Sequence, residues 1–206
     1  VPNGDRIVNM LPTMEGDALL GYFRKGADGY AEAYRDCTRR VHGHWQYLRR
    51  EFPEFRACRL QWIAPALGIR ESKRVVGEYV LREKDLIDGL SHQRHPDIIA
   101  IADHALDTHG RHSKGCGELP HPYGIPFRCL VPLGWKNLLV ACRGASFSHL
   151  AASSCRLSRT MMALGHAAGL AIDQAIEEQT TWPELDFSRI RTNLIHEGAP
   201  LDWKGT

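Results

Sequence analysis

The chain has 206 residues, of which 43% are hydrophobic and 24% are charged, a composition that is typical of a folded globular protein and excludes a disordered segment. Its 26 Lys and Arg residues against 24 Asp and Glu leave a net charge of +2, which gives no reason to expect binding to nucleic acid or to an anionic membrane. No apolar run approaches the ~18 residues of a membrane span and no signal peptide opens the sequence, so we expect a cytoplasmic protein without a membrane span.

The first part of the chain has the periodicity of helices. Between residues 15 and 52, apolar side chains recur at steps of three and four, which places them on one face of a helix. We predict that Gly26 and Gly29 divide this run into two helices and that Pro53 ends it.

The middle of the chain has the pattern of short strands. Residues 74–81 and 97–102 are rich in β-branched side chains and predict two strands, with a short helix over 83–90 between them. Residues 109–126 contain seven Gly or Pro residues and predict a loop. A third short strand is predicted over 127–131, directly after this loop.

The most regular patterns lie in the last third. The apolar run over 137–141 is compact enough for a strand that is buried on both faces of a parallel sheet. The pattern over 160–179 predicts a long helix with Ser158 as its N-cap, and one further short helix is predicted between residues 185 and 201.

The predicted long helix carries Gly165 and Gly169 on one face. Each glycine inside a helix costs ~1 kcal/mol relative to alanine, so the pair indicates that something approaches the helix backbone closely. Another helix or strand fulfils this condition, as in plain α/β packing. That packing is the more frequent case. A flat cofactor at the helix start also fulfils the condition, because the free N–H groups there favour a ligand that gains negative charge, as reduced flavin does.

Four segments between residues 60 and 180 follow one another in a recognisable order. They are LGIRESKRVVGEYVL (67–81), DTH (107–109), PYGIPFRCLVP (122–132), and NLLVACR (137–143) with Ser146, His149, Arg156 and MALGHAAG (162–169). In order and approximate spacing they resemble the C-terminal half of a family of FAD-dependent oxidoreductases that has a glutathione-reductase-like flavin fold.

The resemblance implies the fold class and the domain organisation. We expect an α/β, more closely α+β, architecture that is the C-terminal part of an FAD-binding two-domain flavoprotein fold and lacks the N-terminal Rossmann βαβ unit. Residues 1–59 would be the helical part of a substrate domain and 60–132 its strand-rich part. Residues 133–181 would be the C-terminal strand and helix of the FAD-binding domain, and 182–206 a C-terminal tail.

The dinucleotide-binding half that such a fold requires has no counterpart in the sequence. Its G-x-G-x-x-G fingerprint begins at Gly115 and Gly117, but Pro120 replaces the last glycine. The first residue is Val1 rather than Met, which predicts a processed, trimmed or split polypeptide. We therefore expect the missing N-terminal FAD-binding half to be a partner, either as a separate chain or as a removed segment.

The resemblance also implies which residues surround the cofactor and the substrate. The residues expected to bind FAD are Arg70, Glu71, Ala141, Cys142, Arg143, Ser146, Arg156, Gly165, Ala168 and Gly169. The residues expected on the catalytic, substrate side are Asp107, His109, Tyr123 and His149. Asp107 would orient His109 for acid–base work, and a small organic substrate would exchange a hydride with the flavin. Structural ion pairs are the alternative for the arginines, and ordinary packing is the alternative for Tyr123 and His149.

Two positions depart from the family pattern. The family's Ala-Gly-Arg turn reads Ala141-Cys142-Arg143, with Gly144 one residue later. Either Cys142 crowds the flavin, or the turn has slipped and Gly144 takes over the close approach. Arg159 stands where the family has a proline at the first helical position, and its charge at a positive helix end is unfavourable by ~0.3–1 kcal/mol.

Functions from two other classes stay open. A metal-dependent hydrolase would use the loop histidines His109, His112 and His121, although no spaced ligand set such as HExxH is present and we expect no metal. A non-catalytic partner subunit would have lost flavin binding, with Cys142 as the sign of that loss. The six cysteines form no C-x-x-C pair, which favours reduced thiols.

Overall fold

The structure is a computed structural model, and it describes residues 5, 7, 8, 14–108 and 116–201. Helices combine with two small sheets, which is the expected α+β class. None of the helices in these ranges combines the length and the apolar character that crossing a lipid bilayer requires.

The first of two compact units consists of the described residues up to Ile69 and is built on helices. Its elements are α1 (Gly16–Phe23), α2 (Gly26–Glu51) and a 3₁₀ turn over Pro53–Phe55. The predicted division at Gly26 and the predicted end at Pro53 are confirmed, whereas Gly29 lies inside α2. Gly29 has to be small because a Cβ there would lie 1.8 Å from the carbonyl oxygen of Tyr22.

The second unit consists of the described residues from Arg70 onward. Its elements are α3 (Glu83–Asp88), β1 (Ile98–Ala102), β2 (Leu106–Asp107), β3 (Cys116–Gly117), β4 (Tyr123–Pro126), α4 (His149–Cys155), α5 (Ser158–Glu178) and α6 (Phe187–His196), with 3₁₀ turns over Phe127–Cys129 and Trp182–Glu184. β1 pairs with β4 and β2 with β3, both antiparallel. α5 contacts β1 and α6. The helices and the strand that were predicted at α3, β1, α5 and α6 are therefore confirmed.

Residues 74–81 do not form the predicted strand. Their backbone bonds to two separate segments, since the Val75 N–H donates to the Gly144 carbonyl (2.8 Å) and the Glu78 N–H donates to the Val131 carbonyl (2.9 Å). Because the neighbour changes along the segment, no continuous ladder forms among the described residues. The isolated bridges that result are Gly77–Pro132 and Leu81–Phe147.

Residues 127–131 do not form the predicted strand, and the strand in this part of the chain ends before them. β4 takes residues Tyr123–Pro126 from the predicted loop, and Phe127–Cys129 form a 3₁₀ turn. The Gly and Pro content of this stretch favoured a loop, but among the described residues β4 has a strand neighbour on one side only. Pro126, which has no N–H to donate, is therefore compatible with the strand.

The apolar segment over 137–141 is not a strand either. The Val140 N–H donates to the Leu130 carbonyl (2.8 Å), but no strand runs alongside the segment in the described part of the chain. Leu138 is 42% exposed rather than buried. The parallel sheet that this segment predicted is thus not found in the described ranges, where both sheets are antiparallel.

The polar stretch before α5 contains a helix that the sequence did not predict. α4 begins after Ser148, whose hydroxyl accepts a hydrogen bond from the Ala151 N–H (3.1 Å). Ser158, predicted as the N-cap of the long helix, is the first residue of α5 instead. The N-cap position belongs to Leu157, which has no side-chain cap bond.

The core of the second unit surrounds β4 and the turn that follows it. Its largest fully buried side chains include Tyr123, Phe127 and Leu130. Asp97, which is 2% exposed, stabilises the turn. Its Oδ2 accepts hydrogen bonds from the backbone N–H (3.1 Å) and from Nε (3.0 Å) of Arg128. This core carries the segments that form the candidate site.

Candidate functional site

A depression of about 470 Å³ lies at the start of α5. Its lining consists of Cys142, Arg143, Ser158, Met161 and Met162. The free N–H groups of the first turn of α5 and the guanidinium of Arg143 make this place favourable for a ligand with negative charge. The depression therefore coincides with the predicted turn and helix start.

The turn that follows Ala141 is closed by its own backbone. The Ala145 N–H donates to the Cys142 carbonyl (2.9 Å), and the Gly144 N–H donates to Cys142 Sγ (3.3 Å). Cys142 is exposed and faces the depression that it lines. A Cβ at Gly144 would meet Cys142 Sγ at 3.5 Å, which is ordinary contact, so the turn does not require glycine at 144.

Ser146 follows this turn and is almost completely buried. The side chain is 1% exposed, and its Oγ has no hydrogen-bond partner among the described residues. Buried hydroxyl groups normally have a partner, so an unpaired one indicates a ligand or a water that completes the bonding. The cofactor-binding role of Ser146 stays a prediction, and the unpaired hydroxyl is the observation that favours it.

Arg156 is the buried cation of the site, at 7% exposure. Its Nη2 donates to the carbonyl (2.8 Å) and to Oδ2 (3.1 Å) of Asp107. Burial lowers the pKa of Arg156 and the nearby charge of Arg70 adds to this, whereas the hydrogen bond to Asp107 opposes it. Arg70 donates to the same Oδ2 (2.5 Å), and Arg143 Nε donates to the Arg156 carbonyl (3.0 Å).

Glu71 lies beside this cluster and has two donors of its own. Its Oε1 accepts from Arg74 Nη1 (2.6 Å) and from His149 Nδ1 (2.6 Å). Burial alone would raise the pKa of Glu71, but the bonds from His149 and Arg74 outweigh that effect and the pKa is lowered. Glu71 is therefore the anion that joins the segment after Arg70 to the first residue of α4.

These bonds form two groups of residues, one around Asp107 and one around Glu71, and we call the two together the Arg–carboxylate network. Its members are Arg70, Glu71, Arg74, Asp107, Arg143, His149 and Arg156. Six of the seven were predicted as site residues. Arg74 was missed, although its spacing of three residues from Glu71 is one at which side chains meet.

Tyr123 is not part of this network. Its side chain is fully buried, its hydroxyl shares a hydrogen bond with Ser154 Oγ (2.7 Å), and Ser154 Oγ donates to the His104 carbonyl. Burial is the main cause that raises the pKa of Tyr123. We therefore assign Tyr123 to the core and leave it out of the site, while His109 lies outside the described residues and its pairing with Asp107 stays a prediction.

The glycine face of α5 is open. A Cβ at Gly165 or Gly169 would meet nothing within 4 Å. Met162 and Ile176 on the same helix are 75% and 71% exposed, whereas Ala168 is buried in the core. No described residue of this chain packs against the two glycines, so the close approach that they predict is not found among the described residues.

The described residues contain no group of three or more His, Cys, Asp or Glu that could hold a metal ion. His121 is exposed beside α3, and the other two loop histidines, His109 and His112, lie outside the described residues. The hydrolase alternative, which rests on these three histidines, therefore stays a prediction.

The chain matches a known protein family. A family model described as FAD dependent oxidoreductase matches residues 2–194 of the chain. No curated protein and no solved structure matches it significantly. The family match covers both units and every element of the candidate site.

The ion pair of Arg156 is buried, so its loss should lower the free energy of unfolding more than the loss of an exposed ion pair does. We expect Arg156→Gln to lower the free energy of unfolding by about 2–3 kcal/mol. The reason is that Asp107 would keep the hydrogen bond from Arg70 but lose its ion pair with Arg156. Arg159→Gln is the matched control, since Arg159 and its partner Asp103 are 60% and 59% exposed and such pairs contribute about 0–1 kcal/mol. Urea unfolding of the two variants measures both values, and equal losses would contradict the structural role of Arg156.

Proposed function

Because the chain belongs to the FAD-dependent oxidoreductase family, we propose that it is part of an enzyme that transfers a hydride between a small organic substrate and FAD. The family match over residues 2–194 carries this proposal. The depression at the start of α5 supports it, because it lies at the turn and the helix that the sequence predicts to contact the flavin.

The residues present fit an FAD site on three counts. The unpaired, 1% exposed hydroxyl of Ser146 offers a buried hydrogen bond. Arg143 and the helix start at Ser158 favour negative charge at the depression. Cys142 lines the depression, and its sulfur accepts a hydrogen bond from the Gly144 N–H of the turn.

When bound, FAD supplies the two-electron acceptor or donor for the substrate. The chain supplies orientation and charge. Arg143 and Arg156 provide a positive environment, while Asp107 holds Arg156 in place through Oδ2 and its carbonyl. His149, which is exposed at the start of α4, provides an imidazole for proton exchange with the substrate.

We also propose that a dinucleotide-binding half covers the open face of α5 and completes a glutathione-reductase-like fold. Three observations support this: the glycines of α5 meet nothing, Ile176 is 71% exposed, and the segment over 137–141 has no neighbouring strand among the described residues. Such an exposed apolar face is typical of an interaction site. In this arrangement 133–181 belongs to the FAD-binding domain.

The substrate domain in this proposal consists of residues 1–59 and 60–132, and residues 182–206 form the tail. The partner half is either a second chain or another segment of the same polypeptide. In both cases it carries the pyrophosphate-binding loop that this sequence lacks.

The spectrum and the metal content of the purified protein test the proposed function. We expect the intact protein, prepared together with the product of the neighbouring or upstream coding sequence, to show the absorption bands of bound flavin and no stoichiometric metal. A stoichiometric metal without flavin would overturn the proposal in favour of a hydrolase. A folded, colourless, metal-free complex would overturn it in favour of a non-catalytic subunit.

Alkylation of the cysteines locates the flavin. Cys58 and Cys142 are both exposed, but only Cys142 lines the depression. At an FAD concentration about ten times its Kd, we expect iodoacetamide to modify Cys142 about tenfold more slowly than without FAD, because only the free protein reacts. Mass spectrometry of the peptides gives both rates, and Cys58 should be unaffected. Unchanged labelling of Cys142 in flavin-loaded protein would place the cofactor elsewhere.

A charge on the open face of α5 tests the docking of the partner half. We expect Ile176→Glu to weaken association or flavin retention by about tenfold or more, because a buried Ile contributes ~1.5–3 kcal/mol and tenfold corresponds to about 1.4 kcal/mol. Ile176 lies about four turns of α5 beyond Met162, the last residue that lines the depression, so it does not contact the flavin site directly. Ile87→Glu on α3, at a side chain that is 54% exposed, is the control and should have no effect. Gel filtration with absorbance detection compares the two variants.

A further inference from the structure

Two donors converge on one oxygen of Glu71. His149 Nδ1 and Arg74 Nη1 each lie 2.6 Å from Oε1. Both side chains of the ion pair between Arg74 and Glu71 are mostly buried, at 21% and 26% exposure, whereas the His149 side chain is 57% exposed. The carboxylate of Glu71 therefore binds Arg74 on its buried side and His149 on the side that is closer to the surface.

This arrangement fixes the tautomer of His149. An ionised carboxylate can only accept hydrogen bonds, so the nitrogen that it contacts has to carry the proton. The lowered pKa of Glu71 keeps the carboxylate ionised at neutral pH. Neutral His149 therefore has its proton on Nδ1, which leaves the lone pair on Nε2 free to accept another proton.

The second ring nitrogen of His149 is available for a substrate. The side chain is 57% exposed, and its Nε2 has no hydrogen-bond partner among the described residues. The backbone ties the Glu71 segment to the turn that lines the depression, since the Val75 N–H donates to the Gly144 carbonyl (2.8 Å). The His149–Glu71 pair is thus connected, through the segment that contains Val75, to the turn that carries Cys142 and Arg143.

The charge of the surroundings selects the class of substrate. The Arg–carboxylate network contains four arginines and two carboxylates, an excess of two positive charges. This environment disfavours a cationic amine and favours a neutral or anionic molecule. An alcohol that loses a proton from its hydroxyl suits a neutral imidazole base in such surroundings.

We infer that Glu71 and Arg74 are positioning residues that hold His149 as the Nδ1–H tautomer, so that Nε2 accepts the hydroxyl proton of a neutral or anionic alcohol substrate. The inference rests on the proposed function. The substrate loses a hydride from carbon to FAD, which is the oxidant, and loses the hydroxyl proton to Nε2, while its carbon–oxygen bond becomes double. Glu71 then stabilises the imidazolium that is formed, and Arg74 keeps Glu71 in place.

The tautomer is measured directly by NMR of the ¹⁵N-labelled intact protein. The spectrum is recorded about two pH units above the ordinary histidine pKa of ~6.5, where imidazoles are neutral, and His149→Asn assigns the signals. His166 is an internal reference, because its Nε2 lies 2.5 Å from Glu197 Oε2 and it should have the opposite tautomer. We expect a protonated Nδ1 and an unprotonated Nε2 in His149, and the reverse in His166. A protonated Nε2 in His149 would overturn the inference without any measurement of activity.

Substitution of the positioning residues links the Glu71–His149 pair to catalysis. In Glu71→Gln, the amide oxygen takes the place of Oε1 and still accepts from both Arg74 and His149. It carries no charge, so it no longer stabilises the imidazolium that the proton transfer forms. We expect kcat to fall by about 10²-fold or more, with flavin absorbance unchanged and KM changed little. Arg74→Met should lower kcat by about tenfold and Arg74→Lys should restore most of it. Glu197→Gln, which changes the partner of His166, is the matched control and should leave kcat unchanged.

The outcomes separate this inference from the proposed function. A protein without flavin bands overturns the proposed function and with it the assignment of His149 as a base. A flavin-loaded Glu71→Gln variant with unchanged kcat overturns the inference alone. If that variant does not fold, the tautomer in the unmodified protein and the Arg74→Lys and Arg74→Met pair decide the question.

Discussion

The buried guanidinium of Arg156 is the interaction on which the candidate site depends. Arg156 lies at the end of α4, and its guanidinium donates to both the side chain and the carbonyl of Asp107 in β2. The backbone carbonyl of Arg156 accepts a hydrogen bond from Arg143. A buried charge of this kind is costly unless its partners are in place. The turn, the short strand and the helix end are therefore constrained to a single arrangement by the side chain and the carbonyl of one residue.

The second anchor of the site is the irregular segment after Arg70. It does not form a strand, yet its backbone and side chains are bonded to the turn at Gly144, to Asp107 and to α4. Regular ladders satisfy backbone groups with one neighbour, whereas this segment divides its bonds among several. That is how it brings residues from distant parts of the sequence to one place.

The sequence predicted the helices well and the strands poorly, for a physical reason. α2 and α5 carry a repeat of three and four that local periodicity reveals, and Gly26 and Pro53 mark ends through their own backbone properties. Strands need a partner that is distant in sequence. The runs over 74–81 and 137–141 have the side chains of strands but no continuous neighbour among the described residues, so composition alone predicted the wrong state.

The candidate site was predictable mainly through resemblance, because the order of Arg70, Asp107, Arg143 and Arg156 has meaning only as part of a known pattern. Which carboxylate Arg70 and Arg156 bind could not be read from the sequence, since Asp107 lies 37 and 49 residues away from them along the chain. Tyr123 was misplaced for a related reason. An aromatic residue between Pro and Gly is typical of a surface loop, and only the pairing of β4 with β1 buries it.

Arg70 and Glu71 are consecutive residues that serve two different ion systems, one around Asp107 and one around His149. In an irregular segment of this kind, the number of residues matters as much as their identity. Deleting or inserting a residue between Arg70 and Arg74 would shift both systems out of register at once. Variation among homologues should therefore consist of substitutions in this segment, while changes of length are confined to the loops on either side.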